Sequence, residues 1–260
     1  MNLFNLTRSR GELIPLTSFI GLIALVYALF DGQSLYWWLI PLGLTAFFFI
    51  VLIEAYAHRY CTHHSYKMNS VLDFILGVLM LVVPATGSPV GWAAVHTAHH
   101  KYSDTPKDPH SNKYSSFLKL LMWDYPYTGN LHMSKRLLER KYHKHIHKYA
   151  VLYMIGWALL WYLLLGINGL VYVVLIMWFL GGFLSTFYNY FLHWDLPFSY
   201  RNYDTPDNSR NSPILHFFSF FSVGLHNTHH AKPWAWNTAE KWWEIDTSAW
   251  VIRLIRKKEV

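Results

Sequence analysis

Histidine is the residue type in this chain whose number and spacing could do chemistry. The 260 residues include 16 histidines, against 15 aspartates and glutamates together. Nine of them form an HxxxxH box, two HxxHH boxes and one separate position: His58 and His63; His96, His99 and His100; His226, His229 and His230; and His193. Neutral imidazole is a good ligand for iron, zinc, copper and nickel. Because nine imidazoles exceed what one ion can coordinate, this set predicts a site for two metal ions.

The spacing within the boxes suits convergence of the side chains. Residues at i, i+3 and i+4 share one face of a helix, so each HxxHH box can aim three imidazoles at one volume. Asn189 lies one helical turn before His193. His58 and His63 are five residues apart and need a helix end or a local distortion to converge. Solvated interfacial histidines would explain one cluster, but polar groups at a membrane boundary are costly unless they function.

The composition indicates a membrane protein. Apolar residues make up 53% of the chain, aromatic residues 18% and charged residues 14%. A soluble domain carries about 25% charged residues, and aromatic side chains are enriched at membrane interfaces. The single cysteine, Cys61, excludes an intramolecular disulfide and any cysteine-based zinc or iron–sulfur site.

Four apolar segments predict transmembrane helices in two hairpins, at 13–30, 35–57, 149–165 and 170–192. A helix of about 23 residues spans about 34 Å, enough for a hydrocarbon core of about 30 Å. Four residues separate the members of each pair, so both turns are expected on one face. A further apolar stretch, 71–83, has 13 residues and is expected to lie in the interface.

The basic residues predict the orientation. Of the 22 lysines and arginines, two precede the first segment, 12 lie in 58–148 and eight follow His193. The positive-inside rule then places both termini and the cap, 58–148 and 193–260, in the cytoplasm. The net charge of +7 is thus an orientation signal, and no nucleic-acid partner is expected. We predict one all-α domain over 1–260, with four transmembrane helices and a helical cytosolic cap that holds a dinuclear metal site.

The histidine boxes and their surroundings carry a resemblance to a known family. The motifs are HRYCTH (58–63), GWAAVHTAHHKYSDTPKDPH (91–110), NYFLH (189–193), YRNYD (200–204) and GLHNTHH (224–230). From about residue 57 to 243, the chain resembles the membrane fatty acid desaturases of the acyl-CoA desaturase type, which includes the stearoyl-CoA 9-desaturases.

The resemblance implies a non-haem site with two Fe²⁺ ions. One ion would be held by His58, His63, His96, His99 and His229, and the other by His100, His193, His226 and His230, with Asn189 acting through a water. His64 falls where the family often has arginine and is left out. The implied reaction is the O₂-dependent introduction of a cis double bond, at the Δ9 position, into a saturated acyl chain.

Four further residues are candidates for supporting roles. Glu54 lies one turn before His58 and could orient that imidazole or belong to a buried polar network. Asp104 and Asp108 follow the second box and could support the site or cap a helix. Trp92, four residues before His96, resembles a family residue near the acyl chain.

The reaction needs two electrons from outside the chain. The sequence contains no haem-binding motif, flavin fingerprint or cysteine cluster, so we expect a separate carrier such as cytochrome b5 or ferredoxin with its reductase. In animal acyl-CoA desaturases, an Arg–Asp pair before the second box helps to hold the CoA, whereas this chain has Ala94 and Val95. The acyl substrate could therefore be linked to CoA, to a carrier protein or to a membrane lipid. The membrane would be a bacterial inner membrane or the endoplasmic reticulum.

Two other functions fit part of the pattern. A related di-iron hydroxylase or monooxygenase of alkyl or acyl chains would share the ligands, but its first box is commonly HxxxH. The spacing HxxxxH favours desaturation. A metal transporter or sensor predicts ionisable residues inside the spans, and within the four apolar segments only Glu54 qualifies.

Overall fold

Helices make up most of the described part of the chain. The computed structural model describes residues 6–122 and 131–257. In these two ranges there is no β-strand, and only isolated bridges such as Tyr200–Asn211 occur. The all-α prediction is confirmed for the described residues. The parts of the predicted domain and cap at 1–5, 123–130 and 258–260 lie outside them.

Twelve α-helices are described within these ranges. They are α1 (Leu6–Phe30), α2 (Tyr36–Phe47), α3 (Ser70–Val82), α4 (Pro89–Tyr102), α5 (Phe117–Leu121), α6 (Lys135–Leu138), α7 (Lys141–Lys148), α8 (Ala150–Asn168), α9 (Ile176–Phe191), α10 (Pro213–Phe218), α11 (His226–Ala231) and α12 (Thr247–Ile255). Wider π-type turns extend α2 over Phe48–Thr62 and precede α9 over Gly169–Leu175, and a 3₁₀ turn covers Leu131–Ser134.

Two helical stretches are long and apolar enough to cross a membrane, Tyr36–Thr62 with 27 residues and Ala150–Phe191 with 42. The second stretch contains a reversal at Gly166, whose φ of 62° interrupts the helix. After this turn, Val174 and Trp178 pack in one cluster with Trp157. Pro15–Phe30 and Ser70–Val82 are shorter apolar helices.

The two hairpin turns meet at one end of the helices. The first turn lies between Phe30 and Tyr36, and the second contains Gly166. Asn168 Nδ2 donates to Gln33 Oε1 at 3.4 Å, which joins one turn to the other. A side chain on Gly21 of α1 would lie 2.3 Å from the Leu175 carbonyl oxygen, so α1 needs glycine there to reach this backbone.

The π-type turns at the end of α2 place the first box. His63 N–H donates to the His58 carbonyl at 3.1 Å, and Thr62 Oγ1 donates to the Ala57 carbonyl at 2.9 Å. In such turns, residues five apart share a face. The two histidines therefore converge through the local distortion that their spacing requires. His64, with a φ of 53°, follows directly after the last turn.

The short helix α3 is anchored by a buried carboxylate. Asp73 accepts hydrogen bonds from the hydroxyls of Tyr56 and Tyr142 at 2.8 and 2.5 Å, and from His143 Nε2 at 3.1 Å. Arg140 also donates to Asp73. His143 of α7 lies in a strongly basic part of the sequence, yet it is fully buried and faces Asp73.

Candidate metal centre

Four chain segments bring their histidines together: the π-type end of α2, the helix α4, the second residue after α9, and α11. The nine predicted histidines form two clusters, a first cluster of His58, His63, His96, His100 and His229 and a second cluster of His99, His193, His226 and His230. In each cluster the candidate ligand atoms lie within 4.8 Å of one another. The structure thus brings all nine predicted histidines together in these two clusters.

In the first cluster, three pairs of ring nitrogens lie at the separations expected for ligands of one ion. His58 Nε2 is 2.7 Å from His229 Nε2, which is 2.9 Å from His100 Nε2. His100 Nε2 is 3.1 Å from His96 Nε2. For metal–nitrogen bonds of about 2.1 Å, neighbouring ligands at right angles are about 3.0 Å apart.

The second cluster has the same character. His193 Nε2 lies 3.0 Å from His226 Nε2. Among the described residues, the buried Nε2 atoms of His99 and His230 have no hydrogen-bond partner, and neither does His63 Nε2 of the first cluster. Buried nitrogens without partners are costly, and a shared metal ion would satisfy them. The donor set therefore fits two ions bound by imidazole.

The two clusters exchange His99 and His100 relative to the assignment that the family resemblance implies. His100 joins the first cluster because it is one helical turn from His96 and shares its face of α4. His99 is rotated by about 100° around α4 from His100, and Asp108 holds it among the histidines of the second cluster.

Carboxylates orient four of the imidazoles from behind. The Nδ1 atoms of His58 and His99 donate to Glu54 at 2.9 Å and to Asp108 at 2.8 Å. His193 Nδ1 donates to Asp104 at 3.1 Å. Each carboxylate fixes the proton on Nδ1 and leaves Nε2 as the ligand atom. The structure thus gives Glu54, Asp104 and Asp108 contacts suited to support of the site.

A fourth carboxylate, Asp207, escapes prediction from the sequence. It accepts from His230 Nδ1 at 2.7 Å and is held by the backbone N–H of Ser209 at 3.0 Å. Asp207 lies in a loop 23 residues before its partner, so no helical spacing joins the two. The sequence offers only an analogy for Asp207: acidic residues near the first and second boxes are candidates for orienting the histidines.

Behind Glu54 lies a buried arginine that reaches the C-terminal helix. Arg59 donates to Glu54 Oε2 at 3.3 Å and to Asp246 Oδ2 at 2.7 Å. Asp246 also caps α12 by accepting from the backbone N–H of Ala249 at 2.9 Å. Ser248 of α12 donates to the Ile50 carbonyl at 2.9 Å. One chain of contacts therefore connects the ligand atom of His58 with the position of α12.

The electrostatics keep most of the ring nitrogens neutral. Burial, with neighbouring imidazoles, lowers the pKa far below the ordinary value for His63, His96, His100, His226 and His229. Burial also lowers the pKa of His230, to about 4, against the opposing effect of Asp207. Neutral imidazole is the form that binds metal.

Three of the carboxylates behind the rings, those of Asp104, Asp108 and Asp207, stay ionised. Burial alone would raise the pKa of Asp104 and Asp207, but hydrogen bonds from His193 and His230 outweigh it and lower both. For Asp108, the charge and hydrogen bond of His99 likewise outweigh burial and lower the pKa. Burial would lower the pKa of His99, but Asp108 raises it instead.

The remaining candidates lie beside the clusters. The Trp92 ring stacks on His96, with centroids 4.7 Å apart and planes at 19°, and forms part of the wall of the first cluster. Asn189 Nδ2 donates to the Ser185 carbonyl at 2.8 Å, and its water-mediated role stays a prediction. His64 Nδ1 bonds the Tyr60 carbonyl at 3.1 Å, also outside the clusters.

Sequence comparison identifies the family. The family model for fatty acid desaturase matches residues 34–251. The chain is 31% identical over 231 residues to the sn-1 stearoyl-lipid 9-desaturase of Anabaena variabilis. This match covers 85% of this chain and 78% of that protein. It is 29% identical to the acyl-CoA C20 Delta5-desaturase of Anemone leveillei and 27% identical to the Delta-9 acyl-lipid desaturase 2 of Arabidopsis thaliana.

These last two matches cover 76% and 75% of this chain, which spans 64% of the length of either relative. The histidine clusters, the carboxylates that orient them and the match over residues 34–251 agree with one another. The chain belongs to the fatty acid desaturase family.

Proposed function

We propose that this protein is an O₂-dependent di-iron fatty acyl desaturase that introduces a cis double bond, at the Δ9 position, into a saturated acyl chain. The observation that carries the proposal is the pair of adjacent clusters, with five and four convergent imidazoles. The names of the Anabaena and Arabidopsis relatives support the Δ9 position.

Two iron ions are the proposed cofactors. Bound iron supplies the activation of O₂ that is needed to remove hydrogen from an unactivated methylene. The chain itself presents the Nε2 atoms. In four of the rings Nδ1 stays protonated because it donates to a carboxylate, that of Glu54, Asp104, Asp108 or Asp207. Trp92 stacks on His96 and stiffens the first cluster beside the proposed path of the acyl chain.

The proposed setting is an integral membrane protein with four spans. Both hairpin turns meet through Gln33 and Asn168 at one end of the helices, as four spans in two hairpins require. His58 and His63 share a cluster with His96 and His100, so the histidines on either side of α3 lie on one side of the membrane. We place that side and both termini on the cytoplasmic side of the membrane, which is a bacterial inner membrane or the endoplasmic reticulum.

An external carrier such as cytochrome b5 or ferredoxin, with its reductase, would supply the two electrons. The acyl group would arrive on CoA, a carrier protein or a membrane lipid. This chain matches one relative that is named for an acyl-lipid substrate and another that is named for an acyl-CoA substrate. Ala94 is buried, so this position offers no exposed side chain to a CoA group.

The test is a fatty-acid profile. The protein is expressed with a reductase system, and total lipids are analysed by gas chromatography–mass spectrometry, with His96→Ala and His229→Ala as inactive controls. We expect new monounsaturated chains with the double bond at C9, absent from both variants. Hydroxylated chains that vanish in the same variants would instead assign a di-iron hydroxylase.

A second arm identifies the carrier of the acyl chain. Isotope-labelled stearoyl-CoA, stearoyl carrier protein and stearoyl phospholipid are offered separately to membranes with an intact electron supply. The carrier whose label is desaturated first is the substrate. The proposal would be overturned if no arm yields a desaturated product and no oxygen is consumed, although the membranes hold two irons per chain.

A further inference from the structure

The backbone that carries Asp207 to the second cluster is an irregular loop. It comprises residues 201–209 and is closed by Tyr200 and Asn211, whose backbone N–H groups donate to each other's carbonyls at 2.9 and 2.8 Å. Among the described residues, 201–209 form no backbone-to-backbone hydrogen bond, so side chains must determine the shape of the loop. We call it the Asp207 loop.

The side chain of Asn227 in α11 makes hydrogen bonds that the loop backbone does not make with itself. It is completely buried. Its Oδ1 accepts from the backbone N–H groups of Asn202 and Tyr203 at 2.8 and 2.9 Å. Its Nδ2 donates to the Tyr203 carbonyl at 3.0 Å and to Thr205 Oγ1 at 3.2 Å. An amide supplies an acceptor and two donors on one rigid group, so this side chain satisfies both kinds of partner.

From Asn227 the hydrogen bonds lead to the second cluster. Thr205 Oγ1, which accepts from Asn227, donates to Asp207 Oδ1 at 2.9 Å. Asp207 Oδ2 then accepts from His230 Nδ1 at 2.7 Å. Asn227 and His230 are three residues apart in α11, so this path leaves the helix and returns to it through the loop. The shape of the loop therefore sets where the carboxylate meets the imidazole.

The same loop reaches a second carboxylate of this cluster. The backbone N–H of Asn208 donates to Asp104 Oδ2 at 2.6 Å, and this oxygen also accepts from His193 Nδ1 at 3.1 Å. Asn208 directly follows Asp207, so a shift of the loop would move both contacts together. The first cluster takes its carboxylate from Glu54 in the π-type turns, outside the loop.

We propose that Asn227 is a positioning residue of the second cluster. Its amide holds the Asp207 loop in the shape that brings the loop's carboxylate to His230. The same shape places the Asn208 N–H against Asp104. The proposal rests on the two-ion site given under the proposed function, but it does not depend on desaturation.

Titration of the metal-free protein with Co²⁺ tests this role. The full-length protein is purified in detergent, and the d–d absorption of bound Co²⁺ follows the filling of the two clusters as separate phases. Asn227→Leu keeps the size of the side chain and removes its polar atoms. Thr205→Val interrupts the path to Asp207 without altering α11, and it tests the same role should Asn227→Leu fail to fold. Thr45→Val is its matched control, because Thr45 is also half-buried and donates to the Pro41 carbonyl at 2.7 Å, outside the loop.

Only one of the two phases should change. In Asn227→Leu we expect the phase that Asp207→Asn also weakens to need about tenfold more Co²⁺, the lower end of the range for loss of such partners. The other phase should be unchanged. Thr205→Val should weaken the same phase to a smaller extent, and Thr45→Val should change neither phase.

A double variant tests whether Asn227 acts through Asp207. If it does, Asn227→Leu combined with Asp207→Asn should weaken the phase by less than the product of the two single effects, because both substitutions remove the same support. Fully multiplicative effects, or equal weakening of both phases by Asn227→Leu, would overturn the proposal and leave Asn227 with a general role in stability.

The outcomes also separate this role from the metal centre itself. Wild-type protein that binds no Co²⁺ would overturn the two-ion site and the role of Asn227 together. Wild-type protein with two phases, neither of them changed by Asn227→Leu or Thr205→Val, would overturn the role of Asn227 alone. The fatty-acid profile reports separately on desaturation.

Discussion

At the residue scale, carboxylates determine which nitrogen an imidazole presents. A carboxylate can only accept, so the ring nitrogen that faces it carries the proton and the other nitrogen is free to bind metal. His58, His99, His193 and His230 are held in this way. Partners of this kind fix ring orientation and raise the basicity of the ligand.

Asp207→Asn should weaken metal binding. The amide oxygen can still accept from His230 Nδ1, but the negative charge that makes this imidazole a better donor is lost. We expect metal affinity about 10–100-fold lower, the range for such partners, in a Co²⁺ titration of the metal-free protein. Asp204→Asn is the control, because Asp204 is fully exposed and forms a long ion pair of 3.8 Å with Arg201 at the surface. Equal affinities for both variants would contradict this role.

The pH dependence of stability follows from His230. Its pKa in the folded protein is lowered to about 4 by burial, whereas an unfolded histidine titrates at about 6.5. Between these values the unfolded state binds the extra proton, so stability falls as the pH falls from about 6.5 towards 4. Thermal unfolding of the metal-free protein should show this loss.

His230→Gln removes one of the groups responsible and should make the slope of melting temperature against pH shallower in that window. The slope should not vanish, because burial also lowers the pKa of other cluster histidines, such as His96 and His226. An unchanged slope in His230→Gln would contradict the assignment.

At the residue scale, the sequence allows prediction of the nine histidines but not of their division. His99 and His100 are neighbours in one box, and only the helical rotation between them and the hold of Asp108 separate the two clusters. Asp207 could not be found from spacing, since a loop brings it to His230.

At the element scale, α12 and the end of α2 are coupled through charged groups. Arg59 is almost fully buried and bridges Glu54 and Asp246, and Asp246 caps α12. The same arginine donates to the Trp236 carbonyl at 3.0 Å. Removal of Asp246 therefore leaves the buried guanidinium of Arg59 short of a partner and also removes the N-cap of α12.

Asp246→Ala should destabilise the protein strongly. Breaking a buried ion pair costs about 3–5 kcal/mol, and loss of a helix cap adds about 1 kcal/mol. Asp195→Ala removes an exposed pair with Arg210, worth at most about 1 kcal/mol, and is the control. Thermal unfolding in detergent should separate the two variants by several degrees. Similar melting temperatures would mean that the Arg59 bridge contributes little.

The helix elements were largely predictable, because their apolar runs are long and Gly166 marks the second turn. The π-type turns of Phe48–Thr62 were not, although the five-residue spacing of His58 and His63 requires such a distortion. A helix of ordinary pitch would turn His63 away from His58. The burial of His143 depends on Asp73, which lies 70 residues earlier in the chain, so the local basic pattern could not reveal it.

At the scale of the whole molecule, the four-span topology has a direct test. Cys61 is buried and is the only cysteine in the sequence, so its replacement by serine gives a background for single labels. Gln33→Cys marks the hairpin turns and Lys113→Cys marks the cap. After expression in a bacterial inner membrane, an impermeant maleimide added to intact cells should label the first and not the second, with both labelled after lysis. Labelling of Lys113→Cys in intact cells would contradict the cytoplasmic cap.

The all-helical fold was predictable, because the apolar segments are long and the basic residues lie outside them. The sequence does not show how the cap is held on the helices. That depends on long-range contacts such as those of Ser248 with the Ile50 carbonyl and of Trp178 with the Val82 carbonyl.

The unequal support behind the two clusters has a consequence for how a preparation fills with metal. Among the described residues, Asp104, Asp108 and Asp207 stand behind the second cluster, while Glu54 alone stands behind the first. Better donors bind earlier, so loading should be sequential. A sample with one ion per chain would then be a uniform half-loaded protein. In a stepwise Co²⁺ titration, His193→Ala should abolish the tight phase and His63→Ala the weak one.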